Sequence, residues 1–413
     1  MLAKLISVSV VAFILIMLDL YVYQAVKIVF EGASQTWWKV INSVFWGFTA
    51  LSLIGLYYYN FGDEYFFGRY SRSFLIAGIF IAYFPKLFAV LFLFLDDGIR
   101  FGKWMVSLFN STQPAGENGI TRSEFLSKAA LLSAAIPMAT LSFGIISGAY
   151  DYRVRRKTIV IPNLPKSFDG IRIGQLSDIH SGSFYNKTAV QGGVDLLINE
   201  QPDLFLFTGD LVNNEATEFK EYFDVFNRIE APLGSYSVLG NHDYGDYKRW
   251  NTIQDKKANF DLLKTAHQEL GWDLLLNENR KITVDGDEIA IIGVENWGTG
   301  RFSKHGDLAQ AAKGINAPVK LLMSHDPSHW DAQILPGYED IDVTFAGHTH
   351  GMQMGVEIGN FRWSPAQFIY KQWADLYSKN NQHIYVNRGF GFIGYPGRIG
   401  ILPEVTIIEL KSA

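Results

Sequence analysis

The stretch Val343-Thr344-Phe345-Ala346-Gly347-His348-Thr349-His350-Gly351 places two histidines one residue apart, between glycines, directly after a short apolar run. The chain holds nine histidines in 413 residues, so two of them in so small a space call for a chemical reason. Working outward from this stretch, the same layout recurs. Residues 171–176 run into Ser177-Asp178-Ile179-His180, residues 204–207 into Thr208-Gly209-Asp210, residues 236–239 into Gly240-Asn241-His242-Asp243, and residues 319–323 into Ser324-His325-Asp326. Each run reads as a buried strand that ends in metal-ligand side chains.

Open α/β sheets collect their ligands at the carboxyl ends of their strands, so these ends are expected to converge on one spot. Imidazoles, carboxylates and an amide oxygen form a hard-to-borderline donor set that suits Mn, Fe or Zn. With no cysteine in the chain, a thiolate-held structural zinc, thiol catalysis and disulfides are all excluded. Asp178, His180, Asp210, Asn241, His325, His348 and His350 are too many donors for one catalytic ion that must keep open positions, and they suit two ions that share a carboxylate. Asp210 is the natural bridge. If the segment after residue 346 leaves the strand as a tight loop, His348 and His350 each reach a different ion; if it stays extended, residues i and i+2 share one face.

Taken alone, a histidine after a strand is ordinarily a hydrogen-bonded structural residue, and an aspartate in Ser-Asp or Gly-Asp is ordinarily a turn or a cap. Here the blocks occur together and five of the nine histidines fall within them. His267, His305, His329 and His383 receive no role.

Asp178-x-His180, Gly209-Asp210, Gly240-Asn241-His242-Asp243, His325 and Gly347-His348-x-His350, in this order, resemble the sequence blocks of the calcineurin-like metallophosphoesterase family. The resemblance implies an α/β domain built as a two-layer β-sandwich flanked by helices, with a dinuclear site at one edge. It implies that Asp178, His180, Asp210 and His350 hold one ion, and that Asp210, Asn241, His325 and His348 hold the other. His242 would then touch the phosphate and protonate the leaving oxygen, with Asp243 fixing the orientation of its ring. The charge of two dications brings the pKa of water from about 15.7 toward neutrality and neutralises phosphate oxygens, so in-line attack needs no protein nucleophile.

Within the family, the membrane-attached bacterial members are the most similar, some of them resembling UDP-diacylglucosamine hydrolases. The tail Tyr385-Val386-Asn387-Arg388-Gly389-Phe390-Gly391, followed by Pro396, Arg398 and Pro403-Glu404, resembles the closing segment of that branch. It makes Arg388 and Arg398 candidates for phosphate contact, with structural ion pairing the equal alternative. Gly351-Met352-Gln353 departs from the Gly-Gly-Gln run common in that branch and puts a flexible apolar side chain at the rim of the site.

The first part of the chain has a different character. Residues 5–26, 40–59, 73–95 and 125–147 are apolar enough to cross a hydrocarbon core of about 30 Å. Trp37, Trp38 and Tyr57-Tyr58-Tyr59 suit anchoring at the headgroup level, and the Ala- and Ser-rich fourth segment suits close helix packing. The expected organisation is an all-α transmembrane bundle of about four helices over residues 1–149, then the α/β domain over residues 150–413. An ionisable group at mid-bilayer costs about 2.5–3.5 kcal/mol, so Asp19, Lys27 and Lys86 should pair inside the bundle or snorkel.

Sidedness is undecided. With four spans, Lys4, Arg69, Arg72 and the Arg153, Arg155, Arg156, Lys157 cluster share one side, against Lys39, Arg100, Lys103, Arg122 and Lys128 on the other. Residues 121–128 resemble a degenerate twin-arginine signal, which would place the domain outside.

The expected setting is a bacterial inner membrane, with the lipid bilayer as partner and a phosphoester, lipid-linked forms included, as substrate. A net charge of −5 and the lack of a Lys/Arg stripe near the motifs argue against a nucleic-acid partner, and no protein partner is expected. The rival readings are a catalytically silent receptor or scaffold that keeps the fold, a phosphodiesterase or nuclease for soluble substrates, and a transporter with an accessory domain. The intact ligand set weighs against the first, and the scarcity of paired intramembrane charges and broken-helix repeats against the last.

Overall fold

The computed structural model describes residues 2–62, 71–109, 123–359 and 361–413, and its chain divides into two compact units, Met1–Phe143 and Gly144–Ala413. Arg69 and Arg122, which enter the sidedness argument, lie outside the described residues, as do the first two positions of the twin-arginine-like stretch.

The first unit is helical: α1 (Leu2–Val29), α2 (Gln35–Phe61), α3 (Ser71–Phe109) and the greater part of α4 (Glu124–Ile146). All four helices are long and apolar enough to cross a membrane. Phe13, Phe48, Leu91 and Phe143 point outward, as they would toward lipid rather than water. The expected third span stops at residue 95, whereas α3 continues to Phe109. Apolarity ends at Asp96 but helix propensity does not. Arg100 pairs with Asp97 one turn back at 3.0 Å, and no proline follows Pro85 within the helix. At 1.5 Å per residue its 39 residues span about 58 Å, well beyond a hydrocarbon core.

Asp19 and Lys86 pair inside the bundle and are both buried. The Asp19 carboxylate also accepts hydrogen bonds from Thr49 Oγ1 and the Tyr83 hydroxyl, each at 2.7 Å, while the Lys86 ammonium lies 4.3 Å from the Tyr83 ring centroid. Lys27 sits over the Tyr23 ring at 5.7 Å.

The second unit holds two six-stranded sheets. The first contains β1 (Arg153–Ile161), β2 (Arg172–Leu176), β3 (Leu204–Phe207), β4 (Ser235–Ser237), β5 (Asp273–Leu274) and β14 (Glu404–Ser412), in the order β1-β14-β2-β3-β4-β5. The second contains β6 (Glu278–Val284), β7 (Asp287–Gly293), β8 (Lys320–Met323), β9 (Val343–Ala346), β12 (Asp375–Lys379) and β13 (Gln382–Val386), in the order β12-β13-β9-β8-β7-β6. A separate hairpin pairs β10 (Val356–Ile358) with β11 (Phe361–Trp363).

Strand alternation builds the layers. Leu204, Leu206, Val343 and Phe345 meet in one core between the sheets, with Ile173, Ile291, Leu321 and Met323. Phe205 and Phe207 face the other way, onto Val190, Val194 and Leu197 of α5 (Lys187–Asn199) and Leu263 of α7 (Ile253–Glu269). Ile292, Leu322 and Ala346 back onto Trp330 and Ile334. The result is the expected sandwich with helices outside.

Residues 218–229, a helical pattern in sequence, form only a 3-10 turn (Ala216–Phe219) and the single turn α6 (Phe223–Phe226). The pattern at 260–270 belongs to the longer α7, which starts seven residues earlier because Thr252 and Asp255 form a reciprocal capping box. Asp285 and Gly286, both at positive φ, turn β6 into β7, as an Asp-Gly pair between two strand-like runs favours.

Candidate metal centre

The two sheets meet at one edge, and the parallel neighbours β2, β3 and β4 of one sheet and β8 and β9 of the other end there. The donors follow at short, regular intervals: Asp178 and His180 after β2, Asp210 after β3, Asn241 after β4, His325 after β8, His348 and His350 after β9. A turn immediately after a buried strand is held by the sheet, so these side chains have little freedom to move.

That turn has an unusual backbone. Asp178, His180, Asp210, His348 and His350 all have positive φ, from 47° to 70°. For a residue with a Cβ this region costs about 1–2 kcal/mol, and Asn, Asp and His occupy it most readily. Five non-glycine residues strained together at one edge point to a site where function fixes the backbone. The HTH stretch therefore leaves its strand as a tight turn, the first of the two geometries considered. Gly347 lets it pass: a Cβ there would collide with Ser177 Oγ and the Asp178 carboxylate.

Asp178, His180 and His350 bring their donor atoms within 4.8 Å of one another, and Asp210, His325 and His348 do the same. In the first cluster His180 Nε2 lies 3.0 Å from His350 Nε2, which is 3.2 Å from Asp178 Oδ1. Asp210 Oδ2 stands between the clusters, 3.5 Å from His180 Nε2 and 3.2 Å from His325 Nε2. Its other oxygen accepts the His242 backbone N–H at 2.8 Å, leaving Oδ2 as the atom that faces both.

The arrangement fits cations. The carbonyl of Thr208, 2.7 Å from His325 Nδ1, accepts a hydrogen bond from that nitrogen and turns Nε2 toward Asp210 Oδ2. That Nε2 is buried without a hydrogen-bond partner, because the contact to Asp210 is close but out of line. Asn241 Oδ1 is likewise buried and unpartnered, while its Nδ2 donates to the Tyr247 hydroxyl at 2.8 Å. Ring nitrogens and carboxylate oxygens converging this closely repel one another unless positive charge, a proton or a cation, lies between them.

The titration of the groups shows the same demand. Burial on its own would push His325 down, yet Asp210 and Asp178 outweigh it and lift the imidazole to about 10. Burial would raise the Asp178 and Asp210 carboxyls, and the surrounding histidines hold both below the usual carboxylate range. His180, His348 and His350 are pushed down by burial and favour the neutral form that can ligate a metal.

His242 is half-buried at the edge of the cluster, its ring 4.9 Å from that of His180. Its expected partner is corrected. The His242 ring is held by the Asn213 carbonyl, 2.7 Å from Nδ1, and not by Asp243. The buried Asp243 carboxylate instead accepts the backbone N–H groups of Asp210, Leu211 and Gly240 at 2.9 Å and of Val212 at 3.4 Å, so it ties the β3 and β4 turns together. Burial and the neighbouring Asp210 raise that carboxyl to about 7.

The two tail arginines do not face the open site. Arg388 is fully buried among Glu404 at 2.6 Å, Glu357 at 2.7 Å and Asp375 at 3.4 Å, a set of ion pairs rather than a phosphate contact. Arg398, also buried, donates from Nε to the Gly391 carbonyl at 2.9 Å and from Nη2 to that of Gly389 at 3.1 Å. Its Nη2 is 3.1 Å from His350 Nδ1, behind the cluster.

Three side chains at the site escaped sequence reasoning. The Tyr370 hydroxyl lies 2.8 Å from His348 Nε2, and Asp326 Oδ2 lies 3.6 Å from the same nitrogen. Tyr247, besides holding Asn241, places its ring 4.4 Å from that of His242. Asp326 had a signal, since it directly follows His325. Tyr370 and Tyr247 had none. His267 and His329 are buried elsewhere, against Ser237 and against Ser324 and Gln333.

Comparison with known proteins gives the same reading. Residues 171–352 match the family described as "Calcineurin-like phosphoesterase", and residues 4–149 match "Probable Calcineurin-like phosphoesterase, transmembrane domain". A "Transmembrane protein with metallophosphoesterase domain" of Danio rerio is 26% identical over 92% of this chain and 82% of its own length. "Uncharacterized metallophosphoesterase YkuE" of Bacillus subtilis is 30% identical over 62% of this chain and 84% of its own. "Phosphodiesterase YaeI" of Escherichia coli is 26% identical over 57% of this chain and 80% of its own. Four apolar helices, two sheets whose strand ends gather Asp and His donors into paired clusters, and these matches together make the chain a member of the calcineurin-like metallophosphoesterase family that carries an N-terminal four-helix transmembrane domain.

Proposed function

We propose that the chain is a membrane-anchored phosphoesterase with a two-ion centre, hydrolysing a phosphoester or pyrophosphate bond with water. The observation that carries this is Asp210, whose free oxygen stands between two His/Asp clusters. On this reading Asp178, His180, Asp210 and His350 hold one ion, and Asp210, Asn241, His325 and His348 the other, with Mn, Fe or Zn all compatible with the donors. Bound there, the ions would supply the positive charge that neutralises phosphoryl oxygens and makes water acidic enough to attack near neutral pH.

The protein's own part follows from the side chains. Thr208 and Tyr370 orient His325 and His348, and Arg398 backs His350, so the donors are held before substrate arrives. With Nδ1 held by Asn213, His242 turns Nε2 to the substrate, where it contacts a phosphoryl oxygen and gives a proton to the leaving oxygen. Asp243 fixes the turns that carry Asp210 and Asn241, a positioning role.

The division at residues 149 and 150 and a setting in a bacterial inner membrane belong to the same proposal. Relatives from Bacillus and Escherichia support a bacterial source, while the Danio rerio relative is named as a transmembrane protein. A membrane anchor and a phosphodiesterase among the relatives favour an ester at a lipid- or nucleotide-linked phosphate.

The test is to load full-length protein in detergent with Mn, Fe or Zn, and to assay an aryl phosphodiester, an aryl phosphomonoester and nucleotide-linked lipids. Hydrolysis that rises with two equivalents of metal supports the proposal. A folded, fully loaded protein inert toward all three would leave the silent scaffold in its place.

A further inference from the structure

The hairpin β10–β11 lies between the last two side chains of the site, His350 before it and Tyr370 after it, and its amphipathicity is turned outward. Its register pairs Val356 with Trp363, Glu357 with Arg362 and Ile358 with Phe361. Alternation puts Glu357 and Arg362 on one face, where they bind the body of the domain: Glu357 to Arg388 at 2.7 Å and Arg362 to Asp375 at 3.0 Å. The opposite face carries Val356, Ile358, Phe361 and Trp363, all exposed, with Ile358 at 73% and Phe361 at 61%.

A hairpin in water ordinarily buries its apolar face and solvates its charged one. This one does the reverse. Past Ser364 the chain adds Phe368, 78% exposed, and Ile369, 66% exposed, and then Lys371, whose side chain is 83% exposed. Phe361, Gln367 and Lys371 line one cleft with Glu357, Arg362 and Asp375, so the hairpin tip and this loop are neighbours across a polar floor. Lys371 reaches Asp331 only at 3.4 Å, an exposed pair that leaves its ammonium available to an anionic headgroup.

We propose that this surface inserts shallowly into the lipid bilayer and thereby seats the metal centre against the headgroup layer. Lipid is the occupant the chain itself indicates: four helices able to cross a membrane keep the domain beside a bilayer at all times. The side chains match that boundary, with Ile and Phe at the tip, Trp363 higher on the strand and a lysine at the rim. The surface is anchored to the site at both ends. Ser364 Oγ donates to the Gly351 carbonyl at 2.7 Å, and Tyr370 meets His348. Insertion is independent of which ester is hydrolysed, so it can hold or fail apart from the proposed activity.

The chain has no cysteine, so single cysteines can be placed without other changes. Full-length I358C, F361C and F368C, each carrying an environment-sensitive fluorophore, are reconstituted singly into lipid nanodiscs, with D285C at the polar β6–β7 turn as control. Blue-shifted emission at the first three positions, quenched when brominated phospholipid replaces the ordinary lipid, with D285C unshifted and unquenched, is the expected result. Water-like emission at all four positions would overturn the proposal. So would blue-shifted emission that brominated lipid fails to quench, because protein rather than lipid would then cover the surface. F361D in the I358C background should return the label to water-like emission at unchanged thermal stability.

Discussion

Two buried carboxylate sites, one in each unit, solve the same problem in opposite ways. In the helical unit Asp19 is neutralised by the chain: Lys86 pairs with it, and Thr49 and Tyr83 donate to it. In the second unit Asp178 and Asp210 pair with no lysine or arginine among the described residues, only with histidines, and the buried Asn241 Oδ1 beside them has no hydrogen-bond partner. A buried charge is tolerated only when compensated. Where the chain completes the compensation with lysine the group is structural; where it offers only histidines, a bound cation would complete it.

The comparison breaks most visibly at Asp210. Asn keeps the size and tolerates the positive φ of this position, so Asp210→Asn removes charge with little backbone disturbance. Elemental analysis should show bound metal falling below two ions per chain, and hydrolysis should drop more than about 100-fold, beyond the usual loss for a residue that only supports a ligand. Full activity in that variant would refute the bridging role. His242→Ala separates chemistry from binding: turnover should fall about 10²- to 10⁴-fold with metal content unchanged. Metal loss there would instead make His242 a ligand.

In the helical unit the signs reverse. Asp19→Asn leaves Lys86 buried without its counter-charge and should destabilise the bundle by about 3–5 kcal/mol, whereas Asp19→Leu with Lys86→Met should come close to neutral. Thermal unfolding in detergent distinguishes the two, and metal content should move in neither.

A pH-dependent test concerns His267, a buried imidazole whose Nδ1 meets Ser237 at 2.9 Å while its Nε2 has no hydrogen-bond partner. Burial pushes its pKa down to about 3, below the roughly 6.5 of an unfolded chain, so the unfolded state binds the proton first. Its contribution to stability is complete above pH 6.5 and is lost as pH falls toward 3, with a slope of at most about 1.4 kcal/mol per pH unit. His267→Gln should narrow the acid sensitivity of the melting temperature in that window. An unchanged pH profile would show that other groups dominate.

The candidate donors could be picked out in sequence because each follows a buried strand within a few residues, so local pattern carries them. Their grouping was legible for the same reason, since parallel neighbours end at one edge. What was hidden depends on long-range approach. Asn213, 29 residues from His242, orients it by a backbone carbonyl, and any residue type has one of those. Tyr370 reaches His348 across the hairpin, and Arg388 and Glu357 meet from separate segments. The long α3 was misjudged because hydropathy marks where lipid ends and not where a helix ends.

The left-handed backbone at five donor positions also limits how this centre can decay. Only a small alphabet of residues, chiefly glycine, asparagine, aspartate and histidine, sits comfortably there. Branched aliphatics at these five positions are therefore disfavoured by the backbone itself, whatever the side chains bind.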